Sequence, residues 1–242
     1  MAHSENIEAT HYLDHQSPQQ VTNCHKSMPT PEEIEKGLTD ESEEVREAWA
    51  RRKDFTPTPE QVERGLTDDS WRVRVVWVGR MDFTPTPEQI ERGMRSADVW
   101  VRKMWVDRMD ITPTRLQIER GLTDEDPWIR RAWAERTDYV PTPAQVERGL
   151  TDESYYVREA WAKRIDYTPT PEQADRGIRD DNAIVVVQWI RRTDVLWEEC
   201  IIREGLQSSI EKIRKEWESR LSGHKASITD AYENEDQCLS CI

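Results

Sequence analysis

The sequence predicts an all-α fold, an α-solenoid built as a right-handed superhelix of about seven 28-residue helix-turn-helix repeats. Three observations carry that prediction. The stretch 56–83, TPTPEQVERGLTDDSWRVRVVWVGRMDF, returns every 28 residues without a gap, with units starting at 28, 56, 84, 112, 140, 168 and, degenerately, 196. Trp, Gly and Arg hold register in all seven units: Trp49 to Trp217, Gly37 to Gly205 and Arg52 to Arg220. Apolar residues are only 36% and charged residues 34% of the chain, which suits a thin array whose units bury themselves only against neighbours.

The first helix of each unit starts at Thr-Pro-Glu-Gln. In unit two, Thr58 suits the N-cap, and Pro59 the first helical position, where a missing N–H is harmless. Gln61 completes a capping box, and Pro57 can staple onto Val62. Unit four has Arg115 where Pro is expected, and unit seven has lost the motif. Val62 and Leu66 share one face, and Gly65 beside them is expected to permit close approach of the next unit or to end the helix.

The second helix starts at Ser42, Ser70, Asp98, Asp126, Ser154 or Asn182, all good N-caps. Its apolar face in unit two is Val73, Val76 and Trp77, widened by Val78. A thin unit has few apolar positions, so the recurring Trp is expected to supply much of the buried area. The connection that follows repeats Asp54, Asp82, Asp110, Asp138, Asp166 and Asp194 two residues after the recurring Arg, a spacing that can tie the turn together.

The array is irregular toward its end. Unit seven keeps Gly205, Leu206, Ile213, Arg214, Trp217 and Arg220, and reads as a C-terminal cap. In unit six, Ile184-Val185-Val186-Val187 makes an apolar patch that either docks this cap or serves self-association through the C-terminal repeats. Unit three carries Met94-Arg95-Ser96 in place of Leu-Thr-Asp and is locally more basic. The expected organisation is a polar lead-in or cap over 1–27, the solenoid over 28–223 and a disordered acidic tail over 224–242.

A net charge of −14 disfavours sequence-independent nucleic-acid binding and favours basic partners. No run of 18 apolar residues suggests a membrane span, and the N-terminus has no signal-peptide pattern. Four scattered cysteines fit a reducing cytoplasm.

The Thr-Pro-x-x-Val/Ile helix, the Leu-Thr-Asp-Asp/Glu turn and the Val-Arg-x-x-Trp-x-x-Arg helix together resemble the leucine-rich repeat variant family, within the broader HEAT-like group. The resemblance covers residues 28 to about 221 and is clearest at 126–134, DPWIRRAWA. Two features depart from it: the family's usual unit is shorter, and Trp stands where the family has a small aliphatic residue. One member binds an iron–sulfur cluster through an N-terminal cysteine-rich segment. Only Cys24 precedes the repeats here, so that site does not carry over. The resemblance implies a fold and a binding style, with no common reaction.

Candidate functional groups follow. Two arginine rows, Arg52 to Arg220 and Arg46, Arg74, Arg102, Arg130, Arg158 and Arg214, either grip phosphates, as some HEAT-like proteins do, or form an internal ladder with Trp and Asp. The acidic total favours the ladder. Trp71, Trp100, Trp128, Tyr155 and Tyr156 fall in the first turn of successive second helices, off the core stripe. They are either packing between units or a partner-binding strip, and the strip is the functional surface this sequence favours.

His11, His15, Cys24 and His25 offer zinc-type ligands at a spacing that matches no zinc pattern. Cys238 and Cys241 form a C-x-x-C in the tail and are expected to be free thiols. No phosphate loop, zinc-protease motif or nucleophile elbow occurs, so no catalysis and no cofactor are expected. The expectation is a protein-binding solenoid, an acidic inhibitor or adaptor of a basic or nucleic-acid-binding partner. The alternative is nucleic-acid binding through an exposed arginine row.

Overall fold

The computed structural model describes residues 28–224. These form seven helical hairpins, with no strand among the described residues. The hairpins are α1 (Pro31–Leu38) with α2 (Glu43–Ala50), α3 (Pro59–Leu66) with α4 (Trp71–Val78), α5 (Pro87–Met94) with α6 (Val99–Asp107) and α7 (Arg115–Gly121) with α8 (Pro127–Glu135). They continue as α9 (Pro143–Leu150) with α10 (Tyr155–Lys163), α11 (Pro171–Ile178) with α12 (Ala183–Arg191), and α13 (Glu199–Leu206) with α14 (Glu211–His224). Each second helix packs on the second helix of the next unit, making one continuous layer. First helices rest on their own hairpin partners and touch one another sparsely. Helix α14 runs to His224, the last described residue.

First-helix starts follow from local chemistry. In α3, Gln61 N–H donates to Thr58 Oγ1 at 3.3 Å and Thr58 N–H donates to Gln61 Oε1 at 3.0 Å. The same reciprocal box opens α1, α5, α7, α9 and α11, and α7 forms it with Arg115 in place of Pro. The box Gln also bonds outward. Gln145 Nε2 donates to Glu119 at 3.0 Å and Gln173 Nε2 to Glu147 at 2.9 Å, tying each first helix to the one before. Helix α13 has no side-chain cap, in keeping with its lost motif.

Second-helix starts differ in part from expectation. Ser42, Asp98, Asp126 and Asn182 accept from N–H groups of the first turn, but Ser70 and Ser154 make no side-chain cap bond. Serine is one bond shorter than Asp or Asn, and even Ser42 reaches its donor at only 3.3 Å. At all three serines the preceding Asp accepts the backbone N–H, as Asp68 does from Ser70 at 2.9 Å.

The core is a row of indoles. Trp77, Trp105, Trp133, Trp161, Trp189 and Trp217 are buried. Trp49 is half-buried, because no earlier unit covers it among the described residues. The recurring glycine serves this row, a role different from the two expected of it. A Cβ on Gly121 would lie 1.9 Å from Trp133 Nε1, and one on Gly65 would lie 2.2 Å from Trp77 Cε2. The close approach therefore comes from the unit's own tryptophan, not from the next unit. Nor does the glycine generally end the helix, since α3 continues to Leu66.

At the C-terminal end, Val186, Ile190 and Trp217 form a second buried cluster, packed by Ile201, Ile202 and Ile213. Val185 and Val187 are buried as well. The apolar patch of unit six thus docks unit seven, and self-association loses that surface.

Candidate protein-docking surface

The first arginine row is internal. Arg80, Arg108, Arg136, Arg164 and Arg192 are all buried. Arg80 donates through Nη1 to Ala50 O at 2.8 Å and Arg52 O at 2.7 Å, and through Nη2 to Phe55 O at 3.2 Å. Arg164 repeats the pattern on Ala134 O, Arg136 O and Tyr139 O. Each guanidinium thus satisfies carbonyls left open at the C-terminal end of the preceding unit's second helix, where positive charge also suits the helix dipole.

The row is tied within its own units too. Arg136 Nε donates to Asp138 Oδ1 at 2.9 Å and Nη2 donates to Oδ2 at 2.5 Å. This contact holds the Asp138 carboxyl below its ordinary range, and Arg108 does the same for Asp110. Arg80 also lies 5.2 Å from the Trp77 ring centroid and 4.9 Å from that of Phe55 in the preceding unit.

The second row ties adjacent units from another side. Arg130 donates to Asp152 of the next unit at 2.8 and 2.9 Å, and through Nη1 to Asp124 O of its own turn at 2.8 Å. Arg46 grips Asp68, Arg102 grips Asp124 and Arg158 grips Asp180 in the same place. At Arg46, Arg130 and Arg158 the fork matches a carboxylate's two oxygens, so the tie fixes geometry as well as charge, whereas Arg102 reaches Asp124 through Nη2 alone.

The aromatic residues singled out in the sequence sit differently. Trp100 is 57% exposed, Trp128 48% and Trp71 38%, unusually high for tryptophan. Tyr155 and Tyr156 are half-buried. The Trp128 and Tyr156 ring centroids are 4.9 Å apart, and those of Tyr155 and Tyr156 are 4.0 Å apart. Trp100 and Trp128, with Val99 and Lys103, line a recess of ≈220 Å³. Four of the five residues therefore join one surface crossing α6, α8 and α10. Trp71 stands apart on α4, its ring 5.7 Å from the Arg72 guanidinium.

Sequence reasoning missed the companions of this surface. Arg131 lies 5.8 Å from the ring centroids of both Trp128 and Tyr156 and pairs with Glu135 at 2.8 Å. Lys103 pairs with Asp107 at 2.6 Å. The available signal was a basic residue three places after each of Trp100 and Trp128, on the same helix face. Met81, Met109 and Ile165 are also exposed, one to a connection, and stand singly.

His11, His15, Cys24 and His25, like Cys238 and Cys241, lie outside the described residues. Among the described residues no group of three or more His, Cys, Asp or Glu is placed to hold a metal ion. No described helix is long and apolar enough to cross a membrane.

No protein-family model matches the chain, and comparison with curated proteins gives no match. Among solved structures the chain is similar to a leucine-rich repeat variant described as having a novel repetitive structural motif. The two are 24% identical with a TM-score of 0.55, over 78% of this chain and 70% of the other. The architecture is thus that of the leucine-rich repeat variant, an all-α array of repeated hairpins, as the sequence motifs implied.

Proposed function

We propose that this chain is a non-enzymatic protein-binding scaffold that docks a partner on the aromatic surface of units three to five. The row formed by exposed Trp100 and Trp128 with half-buried Tyr156 carries the reading. Large aromatic side chains held in water by a rigid repeat lose little freedom on binding and make the strongest contact anchors. Consecutive helices of a solenoid also hold such anchors at fixed spacing.

The partner is basic in this reading. The chain carries −14 net charge, and the cations beside the aromatic row are already paired, Lys103 to Asp107 and Arg131 to Glu135. An acidic inhibitor or adaptor of a nucleic-acid-binding protein, of immunity, antitoxin or anti-defence type, is the form this proposal takes. Nucleic-acid binding through an arginine row has less support, because both rows already donate to backbone carbonyls and carboxylates inside the array.

The test is affinity capture from nuclease-treated lysate of the native cell, followed by titration of the purified captured protein. Wild type and a Trp100→Ala/Trp128→Ala variant are compared. A basic protein whose affinity falls at least ~30-fold in the variant supports the proposal. Equal affinity for both forms, or capture of nucleic acid alone when nuclease is left out, refutes it.

A further inference from the structure

The second arginine ladder has one broken step inside the array. Units two, four, five and six place Asp68, Asp124, Asp152 and Asp180 where the preceding Arg can grip them. Unit three has Ser96 there. Its turn Arg95-Ser96-Ala97 replaces a Thr-Asp-Asp such as Thr67-Asp68-Asp69, so formal charge changes from −2 to +1.

Arg74 of unit two nevertheless keeps the ladder pose. Its Nη1 donates to Asp68 O at 2.5 Å and Asp69 O at 2.9 Å, as Arg130 Nη1 does to its own turn. The Nε–Nη2 edge, which at Arg130 holds Asp152, meets no carboxylate at Arg74 among the described residues.

The space beside that edge is open. A cleft of ≈290 Å³ is lined by Arg74, Gln89, Arg92, Arg95, Ser96 and Trp105, and the carboxylate on its wall, Asp68, is already held by Arg46. At the next junction the corresponding residues, Arg102, Gln117, Arg120, Asp124 and Trp133, enclose only ≈10 Å³. Arg92 and Arg95 are occupied with Glu63 and Glu91, so Arg74 is the donor with capacity to spare.

The junction of units six and seven supplies the contrast. There Val186 replaces the Arg and Ser208 the Asp, so both partners are lost together and no cation is stranded. Only between units two and three is the Arg kept and its Asp removed.

We infer that this cleft binds a carboxylate delivered by another molecule, an Asp or Glu side chain of a docked segment. It occupies the place that Asp152 fills on Arg130, accepting from Arg74 Nε and Nη2 at the same 2.8–2.9 Å. The assignment is independent of the aromatic docking surface and holds whether or not that surface is used.

The probe is acetate, titrated into the full chain against chloride at matched ionic strength, with inorganic phosphate as a third arm. The readout is the NMR cross-peak of Arg74 Nε–Hε, identified by its loss in Arg74→Gln. Acetate shifts this cross-peak saturably. In Ser96→Asp the acetate response is at least ~10-fold weaker, and the thermal midpoint rises by about 2–4 °C because the missing step is restored. Arg74→Gln keeps the wild-type circular dichroism spectrum and loses acetate-dependent stabilisation. The inference is overturned if acetate moves the cross-peak no further than chloride, or if Ser96→Asp responds like wild type. Preference for phosphate over acetate overturns the carboxylate assignment.

Discussion

Replacing Arg136 with Met tests the claim that buried guanidiniums bolt the units together. The substitution keeps the apolar stem and removes the donors to Val106 O, Arg108 O and Ile111 O, together with the fork on Asp138. A buried acceptor left without a donor costs about 1–3 kcal/mol. Asp138 keeps a quarter of its side chain exposed and can turn to water, so it adds less. Stranding a buried network of this kind costs about 3–5 kcal/mol, and the loss falls on the junction between units three and four. In a chain held by nearest-neighbour contacts, that junction then separates two blocks that unfold independently. Urea unfolding followed by tryptophan fluorescence and far-ultraviolet dichroism should change from one transition to two, with hydrogen exchange accelerating first at α6 and α8. Arg52→Met is the internal control. Arg52 pairs with Asp54 but reaches no described earlier unit, so its loss costs far less than that of Arg136. Equal destabilisation by the two substitutions would refute the bolt.

Gly121→Ala opposes propensity to packing. An exposed helical Gly→Ala gains about 1 kcal/mol, but here the new methyl overlaps the buried Trp133 ring at 1.9–2.3 Å. Net destabilisation of about 1–3 kcal/mol is expected from urea midpoints, and a more stable variant would disprove the contact. Trp217→Ala removes the side chain around which Val186 and Ile190 are buried. It should release α13 and α14 to rapid hydrogen exchange while α4 to α10 stay protected. Acid and alkali act from opposite sides. Asp110 and Asp138, ordinarily near 3.8, and Glu119, ordinarily near 4.5, are held lower by Arg108, Arg136 and Arg148. Their contribution is complete above those ordinary values and disappears as pH falls through the lower folded ones. Burial pushes the Tyr139 and Tyr167 hydroxyls up to about 12 from an ordinary 10.0, so their contribution is complete below pH 10.0 and lost as pH rises toward 12. Urea midpoints measured from pH 3 to pH 11.5 should give a plateau with losses at both ends, and a flat profile would contradict both assignments.

What could be read in advance was mostly what local chemistry decides. Thr58, Pro59 and Gln61 lie within four residues, and their capping box needs nothing from elsewhere. The Arg80–Asp82 fork is equally local. Gly65 and Trp77 are twelve residues apart and touch across the turn between two helices, so sequence showed that both recur but not that they touch. The ladder was legible as an arginine–aspartate–tryptophan pattern. Its direction was not, because the acceptors are backbone carbonyls, which every sequence has and no motif marks. The exposed tryptophans were separable from the buried ones by helical offset alone. The clustering of Tyr156 with Trp128 and Arg131 depends on how neighbouring units stack.

The arginine bolts point one way along the chain. Arg80 and Arg164 each complete the C-terminal end of a hairpin synthesised before their own, at the same sequence separations. A nascent chain leaving the ribosome can therefore close its units in order of synthesis, each new hairpin finding its template already folded. By the same regularity, duplicating or deleting 28 residues in register leaves the internal bolts matched, whereas inserting a single residue mismatches the bolts that span it. The array is built to change length in whole steps.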